Sequence, residues 1–130
     1  MDITVDTSVL IAVVSDEPSR ARAIEVTAGH GLVAPHSVHW EIGNALSAMI
    51  KRDRVTLAQA HACVEAYLRI PIKFVDIDLK QALGVVKQSR VYAYDAYLLV
   101  CAMQMGTPLL TLDQPLQLAA AKLGIEILEV

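Results

Sequence analysis

The stretch ITVDTSVLIAVV, residues 3 to 14, decides the class of fold. Its first part, Ile3 to Val5, has the apolar and β-branched character of a short strand, which ends at Asp6. The apolar run from Val9 to Val14 then reads as helical. A strand that passes through an aspartate into a helix is the start of a β–α unit, from which parallel sheets are built.

The same alternation continues along the chain. After the first unit, the predicted elements are a helix at Pro18–Ala28, a strand at Leu32–Ala34, a helix at Val38–Lys51, a helix at Thr56–Arg69, a strand at Lys73–Ile77, a helix at Asp78–Ser89, a helix around Asp95, a strand at Leu109–Leu112, a helix at Pro115–Leu123 and a strand at Ile125–Leu128. This order predicts one domain over residues 1–130, with a three-layer α/β/α fold around a mainly parallel sheet of about four to five strands.

The composition limits the classes of function. With 55% hydrophobic residues the chain is rich in apolar side chains, and the excess predicts an interface with a partner or a second copy. The longest uncharged run, Ala96 to Leu112, is broken by Gly106-Thr107-Pro108, and the N-terminus lacks a basic region, so we expect a cytoplasmic protein without a membrane span. A net charge of −3 argues against loose charge-driven nucleic-acid binding, but not against an enzyme whose acidic site is neutralised by metal. Cys63 and Cys101 lack close Cys or His partners, which favours free buried thiols.

Four acidic residues occupy positions where a parallel sheet gathers its functional groups. Asp6 and Asp113 each follow a short apolar strand, in ITVDTS and LLTLDQP, so both should lie at the carboxyl edge of the sheet. Glu41 and Asp95 lie near the starts of apolar helices, where the helix dipole favours carboxylates. Convergent acids repel one another unless a cation neutralises them. Oxygen-only ligation suits Mg²⁺ or Mn²⁺ rather than zinc, and such a metal commonly activates water against a phosphodiester.

Each acid also has a structural alternative. Asp6 could start a turn, Asp113 could cap the helix that follows it, and Glu41 could be a solvated helix residue. Asp95 is the hardest to explain in this way, because the helix YAYDAYLL is otherwise apolar. The four positions taken together favour a functional site.

These motifs resemble, in this order, the PIN-domain ribonucleases. The matching segments are DTSVLIA after the initial strand, E-x-x-N-A-L at Glu41–Leu46, D-A-Y-L-L at Asp95 and T-L-D at Thr111–Asp113. The compact length and the segment KRDRV after the Glu41 helix are most similar to the VapC-type toxins of VapBC toxin–antitoxin pairs. The resemblance covers essentially the whole chain.

The resemblance implies an endoribonuclease that depends on Mg²⁺, with Mn²⁺ able to substitute, and that leaves 5′-phosphate and 3′-hydroxyl ends. Asp6 and Asp95 are then the principal metal ligands, and Glu41 and Asp113 complete the catalytic and metal-binding set. Three polar neighbours would hold the carboxylates or the substrate phosphate: Thr7, Asn44 and Thr111. The resemblance also implies a homodimer that is silenced by a VapB-like antitoxin.

Other motifs favour structural roles. The D-x-D of Asp76 and Asp78 is interpreted as a helix cap at Asp78, and His36 and His39 lack a third nitrogen or sulfur ligand for zinc. Four aromatic residues are expected to pack in the core or an interface rather than to stack on bases: Trp40, Tyr92, Tyr94 and Tyr97. Two alternatives to a toxin stay open, namely a PIN-like nuclease with a housekeeping role in RNA processing, and a non-catalytic module that binds RNA or a protein.

Overall fold

A computed structural model describes all 130 residues, in five strands and seven helices. The strands are β1 (Asp2–Val5), β2 (Gly31–Pro35), β3 (Ile72–Val75), β4 (Leu109–Leu110) and β5 (Ile127–Leu128). The helices are α1 (Thr7–Val14), α2 (Arg20–Thr27), α3 (Ser37–Lys51), α4 (Leu57–Leu68), α5 (Leu79–Ser89), α6 (Ala93–Met105) and α7 (Gln114–Lys122). All the predicted elements are present in the predicted order.

The sheet is parallel throughout, with the strand order β3-β2-β1-β4-β5. The chain extends the sheet from β1 to β3 in one direction, then returns to add β4 and β5 on the other side of β1. In open α/β sheets, ligands bind at the carboxyl ends of the two strands where this reversal occurs. Those strands are β1 and β4, which pair at Thr4–Leu109 and Val5–Leu110.

Helices cover both faces of the sheet and complete the predicted three-layer α/β/α fold. Helix α1 packs against α2, α3 and α4, whereas α6 lies on β1, β2 and β4 and packs against α5. Right-handed crossovers produce this division because the chain reverses its direction of travel after β3. The centre of the sheet is inaccessible to solvent, as the zero exposure of Ile3, Val5, Leu109 and Leu110 shows.

Helix α6 is apolar on nearly all sides because the sheet and α5 surround it. Leu98 to Ala102 are all buried, and Gly106 ends the helix with the left-handed φ of 63° that glycine adopts without strain. Neither cysteine forms a disulfide: Cys101 is buried in this helix and Cys63 is half-buried. None of the helices combines the length and hydropathy that spanning a membrane requires.

Two predicted helix caps are confirmed. The Thr56 hydroxyl accepts the Gln59 backbone N–H at 3.1 Å, and the Gln59 side chain accepts the Thr56 N–H at 2.8 Å, which is a complete capping box. Asp78 Oδ1 accepts the N–H groups of Lys80 and Gln81 at 3.0 and 3.2 Å. The D-x-D motif therefore ends in the predicted cap of α5.

The predicted third strand extends too far. It ends at Val75 rather than Ile77, because the side chain of Gln104 takes the next backbone groups. The Gln104 amide donates to the Asp76 carbonyl at 3.1 Å and accepts the Asp78 N–H at 3.0 Å. These groups are satisfied by a side chain of α6 and need no partner in the sheet.

Candidate active site

Asp6 lies at the carboxyl end of β1 and is oriented by hydroxyl groups. It is 8% exposed, and its Oδ2 accepts hydrogen bonds from Thr111 Oγ1 at 2.6 Å and Ser8 Oγ at 2.9 Å. The Ser8 hydroxyl also accepts the Leu112 backbone N–H at 3.1 Å. This network joins the start of α1 to the end of β4 and fixes the direction of the carboxylate.

Asp113 has both a structural role and a position in the cluster of acids. Its Oδ1 accepts the Leu116 N–H at 3.0 Å and so caps α7, as the structural alternative predicted. The Asp113 N–H in turn donates to Thr111 Oγ1 at 3.0 Å. The Asp113 carboxylate remains exposed. After burial, its charge is the next cause that raises the pKa of Asp95.

Glu41 lies on α3, close to Asp6. The helix begins at Ser37, so Glu41 is in the second turn, and the expected position at a favourable helix start was wrong for this residue. Burial first, then the charge of Asp6 and more weakly that of Asp95, raises the pKa of Glu41 to about 7. A hydrogen bond of 3.4 Å from Thr7 Oγ1 to Glu41 Oε2 opposes this shift.

Asp95 occupies the first turn of α6, as predicted. Burial first, then the charges of Asp113 and Asp6, raises the pKa of Asp95. Leu98 and Leu99 on the same helix are 1% and 0% exposed. No hydrogen bond from the protein holds the Asp95 carboxylate, so the packing of α6 is what keeps it near the other acids.

The structure brings the four predicted acids to one edge of the sheet, close enough to affect one another's ionisation. A divalent cation there would remove their repulsion, and carboxylate and hydroxyl oxygens are the ligands that Mg²⁺ prefers. The donor set therefore fits such an ion. No three Asp, Glu, His or Cys side chains form a ready-made ligand set as they stand, so binding requires side-chain movement.

The predicted polar neighbours differ in their contacts. Thr7 and Thr111 each donate a hydrogen bond to one of the acids, whereas Asn44 is exposed and contacts none of them. The sequence interpretation missed Ser8. The available signal was its place two residues after Asp6 in a first helical turn, where a hydroxyl readily binds the preceding side chain.

The histidines next to Glu41 each have a polar partner outside the cluster of acids. His39 Nδ1 lies 2.9 Å from the Tyr67 hydroxyl, and His36 Nε2 lies 3.3 Å from Asp76 Oδ1. In each case the contact orients the ring toward a group that is not one of the four acids.

Three of the four aromatic residues do not pack in the core, so for them the expected packing in an interface stays a prediction. Trp40, Tyr92 and Tyr94 are 75%, 85% and 58% exposed. Only Tyr97 is partly buried, where it contacts the edge of the Tyr94 ring at a centroid distance of 5.8 Å. The exposed rings are therefore available to an interface or to nucleic acid.

Solved structures share this fold. The chain is similar to PAE2754 from Pyrobaculum aerophilum, with 24% identity, a TM-score of 0.72 and 95% of each chain covered. It is also similar to VapBC2 from Rickettsia felis bound to a DNA fragment from their promoter, with 14% identity, a TM-score of 0.66 and coverage of 99% of this chain and 98% of that chain. A third similar structure is Mycobacterium tuberculosis VapC20, a sarcin-ricin loop cleaving toxin, with 15% identity, a TM-score of 0.64 and coverage of 90% and 94%.

At these identities the structural likenesses show the fold alone, and no curated protein sequence matches the chain. The family assignment comes from the sequence itself. Residues 3–122 match the PIN domain family. That span includes the four acids and nearly the whole sheet. The chain belongs to the PIN domain family.

Proposed function

We propose that this PIN domain is a divalent-cation-dependent endoribonuclease and the VapC-type toxin of a toxin–antitoxin pair. The observation that carries the proposal is the cluster of Asp6, Glu41, Asp95 and Asp113, in which burial first, and then neighbouring negative charges, raise the pKa of Glu41 and of Asp95. Such clusters are typical of functional sites. The structural likeness to a toxin that cleaves the sarcin-ricin loop supports RNA as the substrate.

In this proposal Asp6 and Asp95 are the principal ligands of Mg²⁺ or Mn²⁺, and Glu41 and Asp113 complete the set. Bound there, the cation supplies neutralising charge, a more acidic water molecule and stabilisation of the leaving oxygen. Three polar neighbours assist: the hydroxyls of Thr7 and Thr111 orient carboxylates, and the exposed amide of Asn44 is available to a substrate phosphate.

The reaction is hydrolysis of an RNA phosphodiester. A bond forms between a water oxygen and phosphorus, and the bond from phosphorus to the 3′ oxygen breaks. The departing 3′ oxygen takes a proton from solvent, so the products carry 5′-phosphate and 3′-hydroxyl ends. The chain positions the phosphate and the water in line, and one of the acids accepts the proton that the water loses. The hydroxyls of Ser8 and Thr111 keep Asp6 from rotating out of the site.

The proposed partners in the cytoplasm are a VapB-like antitoxin and a second copy of the chain. The likeness to VapBC2 supports the first, and the large apolar side chains left exposed support interfaces in general. A small antitoxin gene beside this one, or a short protein that copurifies tightly, would distinguish a toxin from a housekeeping PIN nuclease.

Removal of divalent cations is expected to stop cleavage. Purified protein should cut total cellular RNA at defined sites in Mg²⁺, lose this activity in excess EDTA and regain it when Mg²⁺ or Mn²⁺ is restored. Sequencing of the new RNA ends measures the effect. Cleavage that continues in EDTA would contradict the proposal, and cleavage under no condition would favour the non-catalytic binding module.

Glu41→Gln is expected to stabilise the cation-free protein at pH 8 but not at pH 5. Because the folded-state pKa of Glu41 is raised from 4.5 to about 7, the folded protein binds this proton more tightly than the unfolded chain does. The free energy of unfolding therefore falls as the pH rises from about 4.5 to 7. Glutamine carries no charge, so Glu41→Gln avoids this loss of stability. Solvent screening limits the loss to about 1 kcal/mol.

Urea unfolding at both pH values in cation-free buffer measures this difference. Glu65→Gln, at an exposed position on α4, is the matched control and should change stability at neither pH. An equal effect of Glu41→Gln at pH 5 and pH 8 would show that the Glu41 carboxylate is not under electrostatic strain.

A further inference from the structure

A concave site lies between the ends of β2 and β3 and helix α6. Its volume is about 390 Å³, which is in the range of small-molecule sites. The apolar wall includes Val75, Ile77 and Tyr97, and the polar groups come from His36, Ser37 and Asp76. We call this the β2–β3 cavity.

The polar side chains of the β2–β3 cavity have capacity for a ligand. Ser37 Oγ is buried and has no hydrogen-bond partner, an arrangement that costs stability. The His36 ring is stacked on Phe74, with centroids 5.8 Å apart, and its Nε2 lies 3.3 Å from Asp76 Oδ1. Because the Asp76 side chain is 99% exposed, both of its oxygens can accept hydrogen bonds from a ligand.

The cavity lies within one nucleotide's reach of the four acids. Ser37 precedes Glu41 by one turn of α3, so the two side chains are neighbours on one side of the helix. Val75 ends β3, two strands from β1, whose carboxyl end is followed by Asp6. Adjacent strands are about 5 Å apart, so about 10 Å separates the cavity from Asp6. A nucleotide next to a phosphate at the acids would reach the cavity.

We infer that the β2–β3 cavity binds an unpaired guanine base of the RNA, an inference that rests on the proposed ribonuclease function. A planar base suits the apolar wall and the Tyr97 ring. The Asp76 carboxylate repels phosphate and selects a neutral donor-bearing group. Guanine alone among the four bases presents two adjacent N–H donors on its Watson–Crick edge, which match the two carboxylate oxygens. A rotation of the buried Ser37 hydroxyl toward the cavity would let it donate to guanine O6. Any other base leaves one of the two Asp76 oxygens without a donor from the base.

Nuclear magnetic resonance of the ¹⁵N-labelled full chain tests the choice of base. The probes are 5′-GMP, 5′-IMP, which lacks the 2-amino group, and 5′-AMP, 5′-CMP and 5′-UMP. We expect GMP to shift the backbone amides of Val75, Asp76 and Ile77 with at least about fivefold higher affinity than IMP, and Asp76→Asn to remove that difference. Equal shifts from all five nucleotides, or none at these amides, would overturn the inference.

Cleavage-site sequencing tests the same residue in the reaction. Asp76→Asn is expected to lower the preference for guanine beside the cleaved bond about tenfold, and Ser37→Ala to lower it in the same direction. Glu65→Gln, which removes an exposed charge on α4, should leave the preference unchanged. The inference is overturned if both cavity variants keep the guanine preference of the wild type. It is also overturned if cleavage falls equally at all RNA sites, whatever the neighbouring base.

These outcomes are separable from failure of the proposed function. If wild type cuts RNA in an Mg²⁺-dependent way but the cavity variants keep its preference, the function stands and the guanine site does not. If wild type cuts no RNA, the proposed function fails first. A short copurifying protein that shifts the cavity amides where GMP does not would assign the cavity to a protein partner instead.

Discussion

Asp95→Asn is expected to reduce RNA cleavage at least about a hundredfold while the protein stays folded. The substitution keeps the shape of the side chain and removes one charge from the four-acid cluster. Because burial and the charges of Asp113 and Asp6 raise the pKa of Asp95, its loss relieves repulsion and should leave the folded state at least as stable at neutral pH. Single-turnover cleavage and urea unfolding, measured on the same preparation, test both parts.

Asp53→Asn is the matched control for this substitution. Asp53 is exposed and has a left-handed φ of 56°, a conformation that Asn adopts readily. Its replacement should change neither cleavage nor stability by more than a small amount. If Asp95→Asn cleaves RNA as fast as the wild type, the assignment of the site is wrong.

Leu99→Ala is expected to lower the free energy of unfolding by about 2–5 kcal/mol. Leu99 has no exposed surface and lies one turn beyond Asp95 on α6, where it packs in the core. Truncation leaves a cavity beneath the helix that holds the Asp95 carboxylate. Denaturant unfolding of the cation-free protein measures the loss.

Leu118→Ala, at a position of α7 that is 65% exposed, is the control and should change stability by less than about 0.5 kcal/mol. Similar small losses for both variants would mean that α6 is not anchored as the structure shows. Asp95 would then lack the rigid support that its role requires, since no hydrogen bond from the protein holds it.

The sequence was sufficient for the order and type of the elements. The first β–α unit, residues 3 to 14, and the similar unit around Asp113 carry strong local signals: apolar strands, helix caps and a proline after the second aspartate. The caps at Thr56 and Asp78 formed as predicted because they depend only on residues two or three positions away.

The order of strands in the sheet was beyond local signals, since it depends on which strands pair across the fold. The predicted ends of the strands were wrong for a related reason. The last strand begins at Ile127 rather than Ile125 because the Ile125 N–H donates to the Ala120 carbonyl at the end of α7, at 3.0 Å. The Ile125 N–H is thus used at the helix terminus and is not available to pair with the neighbouring strand.

The four acids could be chosen from sequence because the carboxyl ends of parallel strands and the N-terminal halves of helices converge at one edge of the sheet. The individual environments of these acids could not be predicted from sequence. The second-turn position of Glu41 follows from a helix start one residue earlier than predicted. The role of Ser8 depends on Thr111, which lies 103 residues away along the chain. Such contacts exist only after β1 and β4 have paired.

Calorimetric titration of the cation-free chain with Mn²⁺ tests most directly whether the four acids form one cation site. Wild type should show saturable binding, and Asp6→Asn should bind at least about tenfold more weakly, because it removes a proposed principal ligand. Saturable binding to wild type with that loss in the variant is the predicted result. No saturable binding, or binding that Asp6→Asn leaves unchanged, would contradict the account.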